Sequence, residues 1–118
     1  MTESRTASEQ AERARDLWEE AVRIERTADP DHGEWYAIAR DMVGTLWALQ
    51  SMAGLLKGRV AKYDHDRIVR DDAGLDPSVR LDECRALLAE LEATLASAES
   101  SANGFWSAVG HIGVEVQP

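Results

Sequence analysis

"LDECRALLAELEATLASAESSANGFWSAVGHIGVEV", residues 81–116, decides the fold. Leu81, Leu88, Leu95, Ala102, Val109 and Val116 recur every seven residues. Cys84, Leu91, Ala98, Phe105 and Ile112 follow three residues behind them. All eleven positions are apolar, which is the heptad pattern of a helix packed along one seam. Asp76-Pro77 supplies a cap and a first turn, so the spacing predicts a helix over 77–110. Beyond it, Ile112, Val114 and Val116 alternate as in a strand and Gly113 weakens a helix, so the end reads as an extended tail.

Working back toward the N-terminus, "DDAGLDPS", 71–78, breaks the chain, with Gly74 as a left-handed stop. Before it lies a second heptad pattern. Trp35, Met42, Leu49, Leu56 and Tyr63 form one position, and Ala39, Leu46, Ala53 and Val60 the other. They predict a helix over 31–70, antiparallel to the first because the connection is short. The two seams place Leu49, Leu56, Leu88 and Leu91 in the core. A shorter helix is expected over 7–28, opened by the capping pair Thr6 and Glu9 and stopped by Asp29-Pro30. Its apolar face is Ala14, Leu17, Ala21, Ile24 and Ala28, joined by Trp18 and Val22. The expected architecture is all-α and a single domain: a three-helix bundle dominated by a long antiparallel hairpin.

Fifteen uncharged residues separate Asp41 from Lys57. They fall short of the ~20 that span hydrocarbon, so no membrane segment is expected. Beside the seam, Val43, Gly44, Trp47, Ser51, Leu55 and Gly58 form a second stripe rich in small residues. It fits either close intrachain packing against Trp18 or Trp106, or a homodimer contact with Trp47 near its centre.

The chain of 118 residues carries a formal net charge of −9. Residues 71–118 hold nine acids against only Arg80 and Arg85. Such a surface repels phosphate backbones and anionic lipid. One basic run, Lys57, Arg59, Lys62, Arg67 and Arg70, suits a helix C-terminus and is the sole foothold for nucleic acid, within a larger complex. The single Cys84 excludes an intrachain disulfide, reads as a small buried hydrophobe, and points with the leaderless N-terminus to a reducing, cytoplasmic setting.

Chemistry is sparse. No Glu-x-x-His pair occurs, Glu19-Glu20 lacks the third acid of a Glu-Glu-x-x-Glu magnesium motif, and no Gly-rich phosphate loop follows a strand. His32 and His65 stand beside aspartates without a ligand set. His111 and Glu115, four residues apart, are the one polar pair with helical spacing, and a pocket rimmed by them and Trp35 would favour an enzyme. No cofactor or metal is expected. The segments "RDDAGLDPSVRLDE", 70–83, and "ANGFWSAVGHIGVEV", 102–116, resemble small helical proteins of actinobacteria, some of them encoded on mobile elements. The resemblance covers about the last 50 residues, implies an accessory protein, and transfers no functional residue. The expected function is a non-enzymatic helical interaction or accessory module that self-associates or binds a helical partner. The alternatives are a small-molecule- or metal-dependent helical enzyme and a DNA-associated factor using 57–70.

Overall fold

The structure, a computed structural model, describes residues 5–113 and Glu115. Among these there are three helices and no strand: α1 (Ala7–Glu25), α2 (His32–Ala61) and α3 (Pro77–Gly110). The chain divides into two units, one ending at Asp31 and one beginning at His32.

Helix α1 opens as its sequence dictates. The Thr6 hydroxyl accepts from the Glu9 N–H at 3.2 Å, satisfying a donor that the first turn leaves free. The helix ends three residues before the expected 28. The Arg26 N–H closes the last turn on the carbonyls of Val22 and Ile24, and the Thr27 hydroxyl reaches toward Ile24. Leu17, Val22 and Ile24 are exposed along it.

Helices α2 and α3 pack along their length. Gln50 meets Glu99, Lys57 meets Glu92, and His32 meets the Val109 carbonyl, so the pairing runs in opposite directions along the two helices. The contact is centred on Ala39, Leu46, Ala53 and Val60 facing Leu81, Leu88, Leu95, Ala102 and Val109. Ala39, Ala53, Ala102 and Val109 are buried and the larger members half-buried. Alanine at three of these positions is small enough to let two helices pack closely.

The other heptad positions do not enter this seam. Leu49, Leu56 and Leu91 are exposed, as are Trp35, Met42, Tyr63, Phe105 and Cys84, which corrects the expectation of a two-position core. The reason lies on the opposite side of the contact. There Lys57 bonds Glu92, Gln50 bonds Glu99, and the Tyr36 and Trp106 rings tilt together at 5.7 Å between centroids. These pairs line one side of the contact, and the second apolar position of each helix lies on the other side, uncovered.

Helix α2 stops at Ala61, not near 70. The next seam position after Val60 is Arg67, a charge that the contact cannot take. Asp64 and Asp66 also oppose the negative end of the helix dipole. The chain tightens there into three-residue turns, Lys62 N–H to Arg59 and Tyr63 N–H to Val60. The connection to α3 is then built on Asp71. One of its oxygens accepts from the Ala73 and Leu75 N–H groups, and the other accepts from Arg80 Nε at 2.7 Å. Its side chain is 3% exposed. The Arg80 bond, with the two backbone donors, holds the carboxyl below the ordinary carboxylate range. Gly74, at φ +78°, makes the one left-handed step, closing a turn on Asp71 rather than ending the helix. Asp76 caps α3 by accepting from the Ser78 N–H at 3.0 Å, with Pro77 in the first turn. After α3, residues 111–113 and Glu115 form no regular element. Val114 and Val116, on which the extended-tail reading rests, lie outside the described residues.

Candidate interaction surface

The hairpin has two unlike sides. The polar side carries the Lys57–Glu92 ion pair at 2.7 Å and the Gln50–Glu99 bond. Gly54 lies beneath the first of these. A methyl group there would come within 2.6 Å of Glu92 Oε2, so the bare backbone is what lets the carboxylate lie across α2. At the far end of the seam, His32 Nε2 stands 2.6 Å from the Val109 carbonyl and ties the start of α2 to the last turn of α3.

The other side is an apolar groove between the helices. Its floor is Met42, Leu49 and Leu56 from α2 and Leu91, Ala98 and Phe105 from α3. Leu49 is 48% exposed, Leu91 47% and Phe105 48%. No charged residue occupies these positions or those beside them at 38, 45, 52, 84, 87 and 94. The two hydroxyls there are already satisfied. Thr45 donates to the Asp41 carbonyl at 2.7 Å and Thr94 to the Glu90 carbonyl at 2.9 Å. A surface with its polar groups bonded back to its own helices and its apolar groups in water gains by being covered.

The stripe singled out in the sequence lies elsewhere on α2. Gly44, Trp47, Ser51, Leu55 and Gly58 are exposed, Trp47 at 61%, and Gly44 and Gly58 have open space where a side chain would begin. Val43 is half-buried. Trp106 does not lie against Gly44 or Gly58; its ring meets Tyr36 instead.

The basic run is divided. Lys57 turns into the hairpin toward Glu92, and only Arg59 follows it on the helix. Lys62, Arg67 and Arg70 lie past the end of α2. Arg67 stacks on the Tyr63 ring at 4.5 Å and stands 3.6 Å from Asp66. His111 shares a shallow cleft with Tyr36, Asn103, Trp106, Ser107 and Gly110, and neither Trp35 nor Glu115 lines it. Glu115 is exposed. The Trp106 indole N–H is enclosed without a partner beside this cleft. Among the described residues, no three His, Cys, Asp or Glu side chains are grouped to hold a metal ion, and no helix is long and apolar enough to cross a membrane.

The chain matches no family model, no curated protein and no solved structure. Function therefore rests on the geometry. The groove was hidden in the sequence because its residues share the heptad spacing of the core. The signal that separates them is polar: Gln50, Lys57, Glu92 and Glu99 all fall four residues after a seam position, which marks that side as the one the two helices share.

Proposed function

We propose that this chain is a non-enzymatic helical interaction module whose working surface is the apolar groove between α2 and α3. One observation carries the reading: both long helices hold a second apolar heptad position, and the hairpin leaves that position of both in water. A surface built this way is suited to a helical partner, whose side chains would enter the groove at i, i+3, i+4 and i+7. The net charge of −9 and the divided basic run argue against nucleic acid as that partner. The lone free thiol fits a reducing, cytoplasmic setting.

Cys84 provides the test, since it is exposed at one end of the groove and is the sole cysteine. In dilute solution it should react with a maleimide nearly as fast as in denaturant. Slow labelling at every dilution would mean that the chain covers its own groove, and the reading would fail.

A further inference from the structure

We infer that the occupant of the groove is a second copy of the hairpin, giving a four-helix bundle in which every helix uses both of its apolar heptad positions. The inference rests on the groove being an interaction surface and names its partner.

Three features select a second copy. The first is periodicity. In each long helix the hairpin covers one apolar heptad position and leaves the other in water, and a second helical neighbour, as in a four-helix bundle, would cover it. A two-fold axis running along the groove supplies the second neighbour to both helices at once.

The second is size. The paired part of the hairpin is about 45 Å long at 1.5 Å per residue. Two helices side by side are roughly 18 Å wide. Their common face is therefore about 800 Å², the amount each partner contributes to a standard stable interface. A single helix laid in the groove would leave part of this face uncovered.

The third is the absence of charge. The floor of the groove is uncharged and its threonine hydroxyls are satisfied, so nothing polar is stranded by closure.

Light scattering at micromolar concentration should give twice the 13.0 kDa chain mass, falling toward one chain on dilution. Leu91→Glu and the milder Leu49→Gln should each return the mass to one chain. Trp47→Ala, on the exposed stripe away from the groove, should leave it doubled. In the native chain, labelling of Cys84 should slow as concentration rises. A single-chain mass at all concentrations overturns the inference. So does a doubled mass that survives both leucine variants, or one that Trp47→Ala abolishes. The two readings fail separately: a single-chain mass with fast Cys84 labelling removes only the second copy, whereas a single-chain mass with Cys84 protected removes the interaction surface as well.

Discussion

Single residues set the geometry at two places, and the balance of effects differs between them. At Gly54 an added methyl group displaces the Glu92 carboxylate. The displaced partner is the far end of a flexible side chain, and the Lys57–Glu92 pair is about one-third exposed on both sides. Such a pair contributes roughly 0.2–1 kcal/mol, while replacing a helical Gly by Ala gains about 1 kcal/mol. We therefore expect Gly54→Ala to be neutral or slightly stabilising, with the ion pair lost. At Gly44 and Gly58 nothing opposes the added methyl group, and each change to Ala should stabilise by about 1 kcal/mol. Denaturant titration measures all three. A loss of stability at Gly44 or Gly58 would show that another backbone lies against that stripe.

Asp71 is the second such place. Its carboxyl is held below the ordinary range first by the Arg80 bond, then by the Leu75 N–H. The charged form is thus favoured by folding. The stability it contributes is fully present above the ordinary carboxylate pKa of about 4 and is lost as pH falls through the lower folded value. Asp76 acts in the same direction through the Ser78 N–H. Asp71→Asn should lower the melting temperature at neutral pH, and the gap to the native chain should narrow as pH falls from about 4 toward 2. Parallel melting curves across that range would refute the role given to Asp71.

The helices show how far the spacing of apolar residues carries. Helix α3 runs from Pro77 to Gly110 as expected, because its cap and its seam agree. Helix α2 ends near 61 rather than 70, because the repeat reaches Tyr63 only on the position that does not pack, while the packing position meets Arg67. A heptad pattern reports that two stripes are apolar. It does not report which stripe faces the mate within the chain and which faces outward. The side the two helices share is marked by Gln50, Lys57, Glu92 and Glu99, whose pairing across 49 and 35 residues is invisible until the helices are set side by side. The two stripes should differ in measured cost. Leu88, half-buried in the seam, should lose about 1–2 kcal/mol on truncation to Ala, below the 2–5 kcal/mol of a fully buried site. Leu91→Ala, in a chain diluted to one copy, should lose less than half as much. Equal losses would place both leucines in one core.

At the scale of the molecule the core is slight. The buried apolar residues of the hairpin are three alanines and one valine. Such a core leaves little margin against the conformational entropy of two long helices. Stability that grows with protein concentration is the expected consequence, since covering the groove of each hairpin adds apolar burial that neither has alone. A midpoint of thermal unfolding that rises with concentration checks this, and a midpoint independent of it would not fit a shared core. The all-helical class was legible because caps, breakers and periodicity agreed. The surface was not, because the residues that would bury a partner are the same kinds that would bury a mate.

The hairpin's cross-links also differ in how far apart their ends stand along the chain. Asp71 and Arg80 are nine residues apart, whereas His32 and Val109 are 77 apart. Closing the longer loop from an open chain costs about 2 kcal/mol more by the logarithmic length rule. Once the connection at Asp71 has formed, each successive pair along the seam needs only a short further closure. Assembly is therefore expected to run as a zipper from the connection toward the termini, with the His32 clasp the last to engage. It is also the first to open, so amide protons near His32 and Val109 should exchange ahead of those near Val60 and Leu81.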